Sequence, residues 1–82
     1  MLFRSINVLL PQWGMGMNEG IFTKWYKSVG DDVSENEPLA EIETQKSSEI
    51  LESPSAGKMI EILAKEGDTI PVRSVVAIIE TN

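Results

Sequence analysis

Eighty-two residues at 41% hydrophobic content provide for one small globular domain with a limited core and leave no room for two. With no cysteine there is no disulfide framework and no thiolate zinc site, and with no histidine the commonest general base and metal ligand is missing, so the chain is poorly equipped for catalysis. A net charge of -6 repels polyanions, which argues against nucleic acid and anionic membrane surfaces as partners and favours proteins with basic faces.

The first ten residues, MLFRSINVLL, are apolar enough to suggest a targeting segment. Arg4, Ser5 and Asn7 interrupt the run, however, and no small-residue cleavage site follows Pro11. The segment reads as mature protein, with residues 6–10 as a first strand. No apolar run is long enough to span a membrane, and the expectation is a soluble protein of the bacterial cytoplasm. The glycine-rich stretch PQWGMGMNEG follows. Trp13 is either an exposed anchor for a partner or a lid packed on the barrel, and Met15 and Met17 can fill gaps at the barrel's end.

From Gly20 onward the chain repeats itself. Residues 20–45 align without a gap on residues 57–82, and seven of the 26 pairs are identical: Gly20/Gly57, Gly30/Gly67, Asp31/Asp68, Ala40/Ala77, Ile42/Ile79, Glu43/Glu80 and Thr44/Thr81. Random pairing gives roughly one or two. Two copies within one domain must be halves of one core, related by an approximate two-fold axis.

Each half opens with a segment of ambiguous period. Phe22, Trp25, Tyr26 and Val29 sit at helical spacing, and KMIEILAKE is rich in helix formers. The aromatic and β-branched content of IFTKWYKSV, its shortness, and glycine where a capping side chain belongs make it a strand, and the repeat carries KMIEILAKE with it. A Gly-Asp turn follows in both halves, then a short strand at Val33 or Ile70 and a longer one at PLAEIE or VVAIIE. In PLAEIE, Ala40 and Ile42 form a buried face and Glu41 and Glu43 a wet one. The fold class is all-β, a sandwich or flattened barrel of short strands.

Residues 48–52 pair back on residues 38–43 as a hairpin, leaving Thr44, Gln45, Lys46 and Ser47 as its turn. Tight hairpins favour Asn-Gly or Asp-Gly, which tolerate positive φ, and Gln-Lys does not fit that preference. The misfit suggests that the tip side chains serve something besides folding. Lys46 is therefore the candidate functional residue: an exposed tip lysine is reachable by a modifying enzyme without unfolding a strand. Its ordinary alternative is a solvated charge. Glu41 and Glu43 as an acid–base pair, or Lys46 as a Schiff-base nucleophile, would make an enzyme, but carboxylates two apart on a strand form a solvated face and nothing suggests an apolar pocket around the lysine.

The stretch EIETQKSSEILESPSAGKM resembles the lysine hairpin of the lipoyl domains of 2-oxo acid dehydrogenase complexes, where Glu-Thr-Asp-Lys-Ala precedes a strand and then Pro-x-x-Gly. LLPQWGMGMNEG is similar to the start of those domains, with Pro11, Gly14, Met17, Glu19 and Gly20 in matching places. Its Trp-Gly-Met wording is most similar to the acyltransferase component of acetoin-type complexes. Two departures are Gln45 for the usual Asp and Ser47 for the usual Ala.

The resemblance implies one domain over residues 1–82, a flattened barrel of two four-stranded antiparallel sheets, and lipoic acid amide-linked to Lys46. Glu43, Gln45 and Ser47 lie where lipoate ligase reads the turn, and Trp13 and Met15 lie in the loop through which a decarboxylase recognises its carrier. The implied function is a non-catalytic swinging arm serving a thiamin-dependent decarboxylase, an acyltransferase core and the flavoprotein dihydrolipoyl dehydrogenase. The absence of cysteine suits a carrier whose cofactor cycles between dithiol and disulfide, since no protein thiolate can trap it. The two-fold relation sets Gln45 and Asn82 at opposed corners, so the tip points away from the chain end. A biotin carrier shares the fold and the hairpin lysine, but flanks that lysine with methionines where Gln45 and Ser47 stand. An unmodified binding module of the same fold is the third alternative.

Overall fold

The computed structural model describes residues 4–81, which form eight strands and no helix. They are β1 (Arg4–Leu9), β2 (Glu19–Trp25), β3 (Asp32–Val33), β4 (Pro38–Glu43), β5 (Ser48–Glu52), β6 (Gly57–Ile62), β7 (Thr69–Pro71) and β8 (Val75–Thr81). All pairings are antiparallel, and they build two four-stranded sheets, β1-β8-β6-β3 and β5-β4-β2-β7. The expected strands are present, with the first one running two residues earlier and stopping one earlier than residues 6–10.

The helical spacing that makes β2 and β6 ambiguous has a physical cause. Between Phe22 and Lys24 the register against β4 shifts, so Thr23 is an extra residue and Phe22 and Trp25 oppose the buried Ile42 and Ala40. A bulge moves the next inward side chain from the second to the third position, which imitates a helical period. The same shift occurs between Met59 and Glu61 against β8, setting Met59 and Ile62 opposite Ile79 and Ala77. Phe22 and Trp25 stack at 5.3 Å between ring centroids, and Trp25 Nε1 donates to the Ala64 carbonyl at 2.9 Å.

The two sheets are images of each other. β2, β3 and β4 correspond to β6, β7 and β8, and β5 corresponds to β1. The Gly-Asp turns lock the halves together. Gly30 N donates to the Met59 carbonyl (2.7 Å) and Gly67 N to the Phe22 carbonyl (2.6 Å), while Met59 N and Phe22 N donate back to the Asp31 and Asp68 carbonyls. Each turn requires glycine, with φ of 98° at Gly30 and 94° at Gly67. Each is closed by its aspartate, whose carboxylate accepts from Ser28 N (2.8 Å) or Lys65 N (2.9 Å). Neither half can close its bulged strand without the other, which is why the repeat forms one domain.

The core lies between the sheets and is built from matched positions: Phe22 with Met59, Leu39 with Val76, Ala40 with Ala77, Ile42 with Ile79. Gly20 and Gly57 let the isoleucines in. A Cβ at Gly20 would stand 2.5 Å from Ile42 Cγ2, and one at Gly57 2.7 Å from Ile79 Cγ2 as well as against the Glu80 carbonyl.

The edge strands match too. Leu10 N donates to the Ser74 carbonyl and Leu10 O accepts from Arg73 N; Ser53 N donates to the Glu37 carbonyl and Ser53 O accepts from Asn36 N. Leu10-Pro11 is therefore the counterpart of Ser53-Pro54. The Arg4–Thr81 pair likewise answers the Ser47–Thr44 pair, so Arg4 and Thr81 occupy the symmetric equivalents of the two ends of the lysine turn. Asn82, which the sequence sets at that corner, lies outside the described residues.

Candidate functional site

β4 and β5 pair from Glu43↔Ser48 downward, and the four residues between them, Thr44 to Ser47, are the turn. Asn36 and Arg73 are the only non-glycine residues at positive φ among the described residues, so neither Gln45 nor Lys46 needs the conformation that Asn-Gly supplies. Thr44 provides the closure instead. Its backbone N–H and its hydroxyl both donate to the Ser47 carbonyl, at 2.8 and 2.9 Å. Its Oγ1 also accepts from Ser47 N at 3.1 Å and from Lys46 N at 3.3 Å. This is a side-chain-closed turn of the kind Ser and Thr favour. The missing Asn-Gly thus has a folding explanation, which corrects its use as a sign of function.

The closure holds the backbone of Lys46 while its side chain is left exposed, and among the described residues its amine has no hydrogen-bond or ion-pair partner. Gln45 is exposed beside it. Ser47 is exposed and donates its hydroxyl to Glu49 Oε2 at 2.8 Å. Glu43 is exposed at the end of β4, in register with Ile21 of β2 and Ser48 of β5.

The loop between β1 and β2 stands over this turn. Met17 N donates to the Gly14 carbonyl at 3.2 Å, with Gly16 at φ 84°, so residues 14–17 form a turn in which Gly16 occupies the position that requires glycine. That geometry thrusts Met15 into solvent at 91% exposure. Met15 therefore fills no gap at the barrel's end, contrary to one expectation, whereas Met17 is half-buried against the core as expected. Trp13 is also half-buried and packed on the core, which favours its reading as a lid. The loop is tied down by Gln12 Nε2 to the Met17 carbonyl (3.0 Å), Arg73 Nη2 to Gln12 Oε1 (3.1 Å) and Val72 N to the Asn18 carbonyl (3.0 Å).

Loop and turn enclose an open cleft of about 720 Å³. It brings together five of the six residues singled out from the sequence, Trp13, Met15, Gln45, Lys46 and Ser47, and leaves out Glu43. The sequence reading misses Thr44 as the closing residue. Its signal is the Thr44/Thr81 identity, which falls just past the last residue of β4 and on the last residue of β8.

The biotin/lipoyl family model, described as biotin-requiring enzyme, matches residues 6–79. The chain belongs to the biotin/lipoyl family. By itself this is a non-catalytic carrier module, and membership implies lipoic acid or biotin held covalently on a lysine. The chain is 45% identical over 75 residues to the dihydrolipoyllysine-residue acetyltransferase component of the pyruvate dehydrogenase complex of Corynebacterium glutamicum, covering 92% of this chain and 11% of that protein. It is 41% identical over 76 residues to the dihydrolipoyllysine-residue succinyltransferase component of the 2-oxoglutarate dehydrogenase complex of Bartonella vinsonii, covering 93% and 18%. It is 37% identical over 67 residues to the acetyltransferase component of the acetoin cleaving system of Bacillus subtilis, covering 82% and 17%. The chain thus spans between about a tenth and a fifth of the length of these relatives. Among solved structures it is similar to the urea carboxylase of Kluyveromyces lactis, with a TM-score of 0.78 at 26% identity over 93% of this chain and 6% of that one.

The residues fit a covalently attached group. Lys46 presents a free amine on a turn held by Thr44, at the lip of a cleft, with no strand to be opened for access.

Proposed function

We propose that the chain is a lipoyl carrier, with lipoic acid in amide linkage to Lys46 Nζ. The observation that carries this reading is the placement of Lys46 at the β4–β5 tip in a chain whose relatives are dihydrolipoyllysine-residue acyltransferase components. None of the other lysines stands at the tip of a hairpin. Lys24 lies in β2 with its amine 5.5 Å from the Tyr26 ring centroid, Lys27 pairs with Glu37, Lys58 lies in β6, and Lys65 donates its N–H within the second Gly-Asp turn.

When bound, the lipoyl group supplies a dithiolane that takes up an acyl group with two electrons, yields the acyl group to coenzyme A and is reoxidised. The chain's own residues do simpler work. Lys46 gives up its charge on forming the amide, Thr44 holds the attachment point away from the sheets, and Glu43, Gln45 and Ser47 present the surface that lipoate ligase reads. The partners in this reading are a thiamin-dependent decarboxylase, an acyltransferase core and dihydrolipoyl dehydrogenase.

Incubation with lipoate ligase or, separately, biotin ligase, followed by peptide mass mapping, tests the reading. Lipoyl mass on the Lys46 peptide, absent in Lys46→Arg, is the expected outcome, together with faster migration on a native gel as the charge moves from -6 to about -7. Biotin on Lys46 would make the chain a biotin carrier instead. Modification by neither enzyme, with Gln45→Asp failing to restore it, would leave an unmodified binding module.

A further inference from the structure

The two halves differ in how they pass from edge strand to bulged strand. Leu10 and Ser53 are equivalent at an offset of 43, whereas Gly20 and Gly57 are equivalent at an offset of 37, so the first half carries six more residues in this connection. The second half makes the same passage with Pro54, Ser55 and Ala56 alone, so the fold does not need the extra length. The longer connection lies against the Lys46 turn and walls the cleft with Trp13, Met15 and Met17.

We infer that this cleft is a resting site for the arm carried on Lys46, with the hydrocarbon chain and sulfur ring lying against Met15, Met17 and the exposed edge of Trp13. The inference rests on the lipoyl reading above. Four observations support it. The lysine itself lines the cleft, so the occupant is tethered to the wall and its effective concentration there is in the millimolar range for a short flexible link. The volume falls within the span typical of small-molecule sites. The unmodified ammonium would lose hydration on entering, a penalty that disappears once the amine is an amide. Methionines, unbranched and polarizable, accommodate an irregular chain and a sulfur ring. The cleft is open and Met15 almost fully exposed, so residence is brief and compatible with a swinging arm.

The test uses the 82-residue chain loaded by lipoate ligase, with the mass of the Lys46 peptide confirming attachment, and methionine methyls labelled with carbon-13. The buried Met59 serves as internal reference. Docking gives nuclear Overhauser contacts from arm protons to the Met15 and Met17 methyls, shifts of those two methyls but not of Met59, and no change on tenfold dilution. Met15→Ser, at a position that contributes nothing to the core, should abolish most of these contacts and leave the arm relaxing as fast as free lipoamide. A loaded Lys46 with unshifted methyls and a fully mobile arm overturns the inference while the lipoyl reading stands. Shifts that arise only when a decarboxylase is added also overturn it, and make the cleft a protein-binding site. Failure of the ligase to load Lys46 removes the lipoyl reading and this inference with it.

Discussion

The Thr44 hydroxyl donates to the carbonyl of Ser47 and accepts from its amide, so one side chain closes both ends of the turn that carries Lys46. Thr44→Val keeps the shape and deletes the hydroxyl. The turn then loses bonds worth about 1 kcal/mol net in total, since its groups are partly solvated and water replaces part of what is lost. The domain should stay folded, while the rate of lipoylation falls because the ligase meets a turn of many conformations. Thr44→Ser restores the hydroxyl and should restore the rate. Initial rates measured beside urea midpoints separate the effects: equal loading of all three proteins would mean that closure of the turn does not matter to the enzyme.

The half-repeat is legible in the sequence because its identities fall where geometry leaves little choice. Gly30 and Gly67 need positive φ, Asp31 and Asp68 close their turns, and Gly20 and Gly57 admit an isoleucine. What escapes a sequence reading is what changes the register. The bulges at Thr23 and Ile60 convert a strand period into an apparent helical one. The β1–β5 equivalence runs at a different offset from the rest, marked by just two identities, Ser5/Ser48 and Pro11/Pro54, so the longer first connection stays hidden in a single alignment. Burial of Trp13 is likewise a matter of how that connection folds over the barrel's end, which neither composition nor spacing encodes.

Trp13 and Met15 are adjacent in the site and opposite in environment, one packed on the core and the other 91% exposed. Trp13→Ala should therefore cost about 2 kcal/mol, less than the loss for a fully buried aromatic because Trp13 is half-exposed. For a domain of this size the melting temperature falls by roughly 10 °C. Met15→Ala should leave it within a degree or so. Thermal unfolding of the two variants checks this, and a Trp13→Ala protein as stable as the parent would return Trp13 to the role of a free surface anchor.

Gly57 and Gly20 play the same part in the two halves, but an added methyl meets different obstacles. At Gly20 it meets a methyl of the buried Ile42 side chain, so core side-chain atoms must shift but the backbone ladder need not. At Gly57 it meets Ile79 and the backbone carbonyl of Glu80, which lies in the β6–β8 ladder and cannot retreat without breaking it. Both alanine variants overpack the core, at about 1–3 kcal/mol, with Gly57→Ala the worse. Gly14→Ala, where no atom lies within 4 Å, is the neutral control. Equilibrium denaturation in which Gly20→Ala proves the more damaging would contradict this account of how the halves pack.

Lys27 and Glu37 form an ion pair with side chains 23% and 30% exposed, and Glu37 also accepts from Ser34 N at 2.8 Å. The hydrogen bond to Lys27, and then that from Ser34, hold the Glu37 carboxyl below its ordinary value of 4.5, and the same bond to Glu37 raises Lys27 above 10.5. A lowered carboxyl contributes stability that is fully present above 4.5 and is lost as pH falls through its folded value. A raised lysine contributes stability that is fully present below 10.5 and is lost as pH rises through its folded value. Between those limits the pair adds a constant, small and salt-screened increment, because it is partly open to solvent. Glu37→Gln should therefore lower stability slightly at neutral pH and narrow the gap to the parent protein as pH falls below 4.5. Denaturant midpoints between pH 3 and pH 7 at low and high salt measure this; a gap that widens towards acid would show that Glu37 is not the group being protonated.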